Sequence, residues 1–351
     1  MKKKIKLGIL GFGFMGHCHA ENIKKFEDIE LIAVCDNNPD QLEDVKATND
    51  FIVYENADDL ISNKDINTVL IVIPNQLHKE MAIKAAKAGM DIICEKPAAM
   101  TVAEFDEMME VVEKYGVAFT VHHQRRWDKD FRITKEVYDK NLVGDMYAIK
   151  SSIYGINGNM HDWHVYKSMG GGMLYDWGVH LIDQMLYMVD SKIKTIFADV
   201  RNVINFEVDD YFKINLVFEN GIVGEIELGT YYLSPKRNWT VCGNKGTMFI
   251  EGFDCKGKIV RTTRLLENVP GKITMSSEGP TRSFGPPAQG VLLVEALPEV
   301  NADYSMFFEN YIKAVNGEEE FVIKPEQVRR VLSVMEAARK SAELKKSVDF
   351  E

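Results

Sequence analysis

The sequence predicts an α/β chain in two parts: an N-terminal doubly wound parallel sheet, then an α+β domain with a large open, mostly antiparallel sheet. Three observations carry this. The turn Gly11-Phe12-Gly13-Phe14-Met15-Gly16 joins an apolar run to a helical one. From there to Val121, short apolar runs alternate with helical stretches. After Trp127 long β-rich stretches take over, folded at Asn220-Gly221 and around Gly243-Asn244-Lys245-Gly246, which are hairpin signals. At 351 residues there is room for two cores, divided here into 1–122 and 123–351.

Lys4 to Leu10 reads as the first strand, and a helix to about Phe26 follows the glycines. That is the G-x-G-x-x-G fingerprint in its required setting, strand then glycines then helix, which opens a Rossmann domain. Gly11 permits the tight turn, Gly13 lets a pyrophosphate approach the backbone, and Gly16 lets helix and strand pack closely. The helix N-terminus offers free N–H groups to the phosphates. A second strand, Glu30 to Cys35, ends in Asp36, twenty positions after Gly16. A carboxylate there accepts hydrogen bonds from an adenosine ribose diol and repels a 2′-phosphate. Asn37 and Asn38 follow with no Arg or Lys, so NAD is preferred over NADP.

The alternation continues with helices over 57–62, 75–88 and 101–115, and strands over 67–73, 91–94 and 117–121. Ligands of such sheets lie beyond the carboxyl ends of the strands. Three stretches fall there: Pro74 to His78, Glu95-Lys96-Pro97, and His122 to Trp127. Cofactor-side candidates are therefore residues 11–16 (Gly11, Phe12, Gly13, Phe14, Met15, Gly16), Asp36, Pro74, Asn75, His78, Glu95 and Lys96. Partial desolvation after an apolar strand lowers a lysine pKa and suits Lys96 to hold a reacting oxygen. His78 fits a helix surface as readily as the cofactor.

Beyond Trp127 the sequence predicts a helix over 129–141, a strand over 146–154, β stretches over 194–204 and 211–230, and a hairpin over 238–251. Between them, Gly170-Gly171-Gly172 opens an apolar helix on which Asp176, His180, Asp183 and Tyr187 recur at i, i+4, i+7 and i+11. That helix has no Lys or Glu between Gly172 and Val189, so its polar stripe is not an ordinary solvated face. The glycines let the helix start close against substrate or cofactor. Residues 262–300 are richer in Pro, Gly and Ser and read as either an arm over the cleft or a passive loop. Helices over 304–315 and 325–344 close the chain, the last placed to pack back on the first domain.

Composition narrows the partners. The net charge of −11 disfavours nucleic acid and anionic membrane. Lys2-Lys3-Lys4 precedes an apolar run interrupted by Gly8, Gly11 and Gly13, which is not a signal peptide, and no run is long enough to span a membrane. Five cysteines without C-x-x-C spacing suggest neither disulfides nor zinc, and His17-Cys18-His19 are consecutive helix residues facing different ways. No metal is expected, and the cytoplasm is the natural compartment. An open antiparallel sheet leaves a face for a homodimer or homotetramer.

With the fingerprint, Glu95-Lys96-Pro97 and Gly170–Asp183 in hand, the chain resembles the Gfo/Idh/MocA oxidoreductases, a family that includes glucose–fructose oxidoreductase and inositol dehydrogenase. The likeness covers nearly the whole length. The pattern E-K-P matches at 95–97, G-G-G-x-L-x-D-x-G-x-H-x-x-D matches at 170–183, and Arg125-Arg126-Trp127 looks like the family's domain junction. The 262–300 segment departs from the family and bears on the substrate. The resemblance implies NAD(P)-dependent oxidation or reduction of a secondary alcohol on a sugar, glycoside or cyclitol, with Lys96, Asp176 and His180 catalytic and Pro97 often cis. His180 then takes the hydroxyl proton, Lys96 holds the same oxygen, and Asp176 binds a neighbouring hydroxyl or orients the imidazole. Asp183 is either the imidazole's partner or a domain-interface contact. Substrate candidates beside Asp176 and His180 are Trp163, flanked by His161 and His164, and Arg126, with Tyr154, Tyr232 and Arg237 behind them. The alternatives are a glycosidase that oxidises, eliminates and reduces again, a non-catalytic cofactor sensor, and a reductase of non-sugars.

Overall fold

The computed structural model describes residues 3–46, 51–155, 160, 162–263, 273–281 and 290–350. The first unit alternates as predicted: β1 (Ile5–Leu10), α1 (Phe14–Ile23), β2 (Ile29–Cys35), α2 (Asp40–Lys46), β3 (Ile52–Tyr54) and α3 (Ala57–Ser62). It continues with β4 (Thr68–Ile71), α4 (His78–Lys87), β5 (Asp91–Cys94), α5 (Val102–Tyr115) and β6 (Phe119–Val121). All pairings are parallel, in the order β3-β2-β1-β4-β5-β6. The order reverses between β1 and β4, which makes the crevice above their carboxyl ends the ligand site of this layer. Every residue of β4 and β5 is buried, as a strand covered by helices on both faces must be.

The second unit holds α6 (Lys129–Asp139), β7 (Met146–Tyr154), α7 (Val179–Met188), β8 (Ile193–Arg201), β9 (Tyr211–Phe218), β10 (Val223–Gly229), β11 (Trp239–Gly243), β12 (Gly246–Ile250) and β13 (Gly257–Thr262). After these come β14 (Thr274–Ser276), β15 (Gly279–Thr281), β16 (Leu292–Glu295), α8 (Ser305–Val315), α9 (Pro325–Leu344) and β17 (Val348–Asp349). Nine strands form one sheet, β16-β13-β12-β11-β7-β10-β9-β8-β17, antiparallel throughout except for the parallel pair β7–β10. In β9, Phe212, Ile214, Leu216 and Phe218 alternate into the core. The opposite face leaves Phe197, Val217 and Val223 exposed.

The 262–300 segment is not one long loop: β13 ends at its start, β14 and β15 pair as a small hairpin, and β16 joins the edge of the large sheet. Residues 264–272 and 282–289, which include most of the expected arm, lie outside the described residues. α9 bridges the units. It packs on β8 and α7, and Arg329 makes a two-pronged pair with Asp106 of α5 at 2.7 and 2.9 Å. Among the described residues no helix is long and apolar enough to cross a membrane.

Candidate active site

The glycine turn has the geometry its residues predict. Gly11 sits at φ +98°, and a Cβ there would lie 2.1 Å from the Val72 carbonyl oxygen; one on Gly16 would lie 2.4 Å from Gly11's own. Gly13, by contrast, faces open space, and as the first residue before α1 it carries no side-chain cap. This is an uncapped helix N-terminus with room above it, which fits a pyrophosphate. Asp36 accepts from the Phe12 N–H at 2.7 Å and from the Asn38 N–H at 2.8 Å, so it braces the turn as well as ending β2. Phe12 is buried in the core and offers the site only its backbone, whereas Phe14 stands 80% exposed beside the turn and Met15 is half-buried.

Other residues of the cofactor side are turned to the protein. Asn75 is buried and donates to the Gly170 carbonyl at 2.9 Å, which ties the loop after Pro74 to the three glycines. His78 is fully buried, with both ring nitrogens 2.8 Å from carbonyl oxygens of Pro97 and Ile73. It braces the Glu95–Pro97 turn and leaves no nitrogen for a ligand. Glu95 is also interior: one carboxylate oxygen takes His19 Nε2 and His122 Nδ1, each at 2.8 Å, and the other takes the Lys96 N–H at 3.1 Å. Burial opposes its ionisation, but the two imidazoles hold its carboxyl well below the usual range. The three ligand atoms lie within 4.8 Å of one another, a spacing that would admit a cation; here they already satisfy each other by hydrogen bonds.

The Lys96–Pro97 bond is cis. Lys96 Nζ donates to Asp176 Oδ1 at 2.7 Å and to the Asp176 carbonyl at 2.9 Å, with side chains 18% and 22% exposed. The carbonyl is available to a side chain because residues Leu174–Gly178 form a π-turn before α7 begins. Its start is fixed by Asp209, which accepts from the Leu174 N–H at 2.7 Å; a Cβ on Gly172, at φ +107°, would lie 2.6 Å from that carboxylate. The glycines therefore crowd protein atoms, which corrects the expectation that they approach a ligand. Burial opposes the charge on Asp176, yet Lys96 keeps its carboxyl below the ordinary range. His180, one turn on, is buried, and burial together with the Lys96 and Arg125 charges depresses its imidazole well below the usual value. It is neutral at pH 7, as a proton acceptor must be.

Arg126 does not face substrate. Its guanidinium is 1% exposed, grips Asp183 at 2.6 and 2.7 Å, and donates to the Val322 carbonyl at 2.8 Å and to Gln327 at 3.1 Å. It also lies 4.2 Å over the Tyr187 ring. The far half of the polar stripe is thus a structural latch, and of the two alternatives for Asp183 the interface contact is the one present. Its neighbour Arg125, named in the sequence as part of the junction stretch but not as a site residue, stacks 3.9 Å over Trp177 and pairs with Asp128 at 3.0 Å. Trp163 stacks on His164 with centroids 3.9 Å apart, and His161 lies outside the described residues. A cavity of about 500 Å³, lined by Tyr154, Lys236, Arg237 and Phe253 among others, opens at the end of β7. Lys96, Asp176 and His180 do not line it; Phe253 connects it to them, 6.1 Å from Trp177, which is 6.3 Å from His180.

The chain as a whole is similar to known proteins. Residues 5–123 match a family described as "Oxidoreductase family, NAD-binding Rossmann fold", and residues 131–249 match its C-terminal domain. An NAD-binding protein from Listeria innocua superimposes with a TM-score of 0.94 at 34% identity, over 99% of both chains. Myo-inositol 2-dehydrogenase from Thermotoga maritima is 25% identical over 99% of each chain. 2,7-Anhydro-N-acetylneuraminate hydratase from Mediterraneibacter gnavus is 26% identical over 73% of this chain and 70% of its own.

Proposed function

The chain belongs to the GFO/IDH/MocA oxidoreductase family, and from that premise we propose that Lys96, Asp176 and His180 carry its reaction on a secondary alcohol of a sugar, glycoside or cyclitol. It is an oxidoreductase that acts on CH–OH groups with a nicotinamide dinucleotide. The observation that carries the assignment is the 2.7 Å Lys96–Asp176 pair one helical turn before a neutral, buried His180.

The turn Gly11–Gly16 and Asp36 would hold the dinucleotide, which when bound supplies or accepts the hydride. Asp36 favours NAD, since a 2′-phosphate beside it would meet a carboxylate already committed to the turn. The imidazole of His180 takes the hydroxyl proton as hydride leaves the carbon. Lys96, a mobile point charge, moves from Asp176 to the developing alkoxide, and Asp176 holds an adjacent hydroxyl. The cavity beside Phe253 gives room for the remainder of a sugar, with Tyr154 and Arg237 at its wall. Incubation with a panel of cyclitols, aldoses and glycosides should release NADH, and His180→Ala should abolish the signal; no turnover with any polyol would remove the proposal.

A second reading shares the first oxidation and then eliminates a substituent before reducing the carbon again. The hydratase relative favours it. Product without net NADH would identify it. Residues 123–351 then form the substrate-binding and assembly domain, with Phe197, Val217 and Val223 on the face of a homodimer or homotetramer. Five free cysteines are consistent with a cytoplasmic protein. Light scattering of Phe197→Glu against the unaltered chain tests the assembly.

A further inference from the structure

His123 sits two residues before Arg125, 1% exposed, and among the described residues neither of its ring nitrogens has a hydrogen-bond partner in the protein. Its ring stands at 81° to that of His180, centroids 6.3 Å apart. His180 Nδ1 is likewise buried and without a protein partner. Two imidazoles with three buried, unpaired nitrogens side by side is an arrangement folded proteins avoid unless something joins them.

The chemistry of a base says what must join them. If His180 takes a proton on Nε2, the neutral ring before reaction carries its hydrogen on Nδ1, the nitrogen that points into the protein. A buried N–H donor needs an acceptor, and the need grows when the ring becomes an imidazolium. The centroid separation is too long for a direct ring-to-ring bond and fits one bridging water. We propose that His123 is the positioning residue of the base, accepting through one water the hydrogen bond of His180 Nδ1–H and so fixing the tautomer that leaves Nε2 free. The inference rests on the assignment of His180 as base. The proton balance is simple: the hydroxyl proton ends on His180 Nε2, the hydride ends on the dinucleotide, and His123 gains a stronger hydrogen bond but no proton.

The surroundings suit an acceptor that stays neutral. Asp183, Arg126, Glu95 and His122 face His123, and burial, aided by Arg126 and His122, outweighs the two carboxylates and pushes its imidazole down to about 4. Lys96, Arg125, Glu95 and His123 face His180. Asp183, the carboxylate that might have served the base directly, is gripped by Arg126. A neutral acceptor steadies the imidazolium less than a carboxylate would, which leaves the proton easier to return.

Nitrogen NMR of the unaltered, histidine-labelled protein should find His180 as the Nδ1–H tautomer and His123 neutral throughout the active pH range; an Nε2–H tautomer for His180 overturns the proposal. His123→Phe should lower kcat about tenfold, less than loss of the base itself, with substrate KM little changed. It should also move the acid limb of kcat/KM to lower pH by about one unit, because an imidazolium without its acceptor forms less readily. His123→Gln, which keeps an acceptor, should restore the limb. An unmoved limb and unchanged kcat in His123→Phe, with His180→Ala inactive, overturns the role of His123 alone; an active His180→Ala overturns the base assignment beneath it. Should the Phe variant not fold, the tautomer decides.

Discussion

The two halves of the helical stretch Leu174–Met188 use the same residue types for opposite ends. Asp176 is half-buried and Asp183 buried, and in both the paired cation is the largest influence against burial and helps hold the carboxyl below its ordinary range. The depressed pKa therefore does not separate a reactive group from a strut. Exposure and the shape of the cation do. Asp176 keeps about a fifth of its side chain exposed and meets a lysine, whose ammonium can swing to another oxygen. Asp183 is 2% exposed and meets the two-pronged fork of an arginine that is also committed to Val322 and Gln327. One pair can open for a substrate; the other cannot open without unfolding the helix from its support.

The largest effects should fall on opposite observables. His180→Ala should reduce kcat about a hundredfold or more while thermal stability stays near that of the unaltered protein. Asp183→Asn should do the reverse, removing about 3–5 kcal/mol of stability because the Arg126 charge is left buried and unpaired, with kcat of the remaining folded protein largely kept. Denaturant titration and turnover on the same samples check both, and a comparable loss of kcat in Asp183→Asn at full folding would break the contrast. The pH dependence adds a sign. Since Asp183 is held below its unfolded value, the pair contributes fully above about pH 4 and loses that contribution as pH falls through the depressed native value. The deficit of Asp183→Asn should shrink over that acid range and not above it.

What the sequence made legible follows a physical line. Local geometry was legible: Gly11, Gly13 and Gly16 are recognisable within six residues, and in the structure Gly11 and Gly16 stand where a Cβ would clash while Gly13 faces open space. Alternating strands and helices were legible up to β6, apart from α2 and the edge strand β3, whose three residues are too few for a period to show. The edge strand β16 was hidden because Leu292, Leu293 and Val294 are all exposed, so it carries no inside–outside alternation. Side-chain direction was the harder part. Arg125 and Arg126 are neighbours in a single 3₁₀ turn over Gln124–Trp127, and which of them points to the cleft depends on Asp183, fifty-seven residues on. The uniform helical stripe ignored the π-turn, and nothing near Asp209 in the sequence announces that it caps that turn from the loop between β8 and β9.

A smaller effect sharpens the same contrast at the other end of the cleft. Asp36→Ala should weaken NAD about tenfold, as expected for the loss of charge-assisted hydrogen bonds, and narrow its advantage over NADP. Asp36 also braces Phe12 and Asn38, so Asp36→Asn, which keeps an acceptor for the turn, separates the roles. If discrimination relaxes in both variants, the charge selects the cofactor; if only in Ala, the brace does. The least effect is expected at Arg237. It is exposed, lies 3.7 Å over the Phe249 ring, and lines the 500 Å³ cavity without touching Lys96, Asp176 or His180. A residue so placed acts on the part of the substrate that does not react, where binding is the same in ground and transition states. Arg237→Ala should therefore raise substrate KM by a factor of about two to ten and leave kcat unchanged; a fall in kcat with constant KM would mean that the cavity reaches the reacting carbon after all.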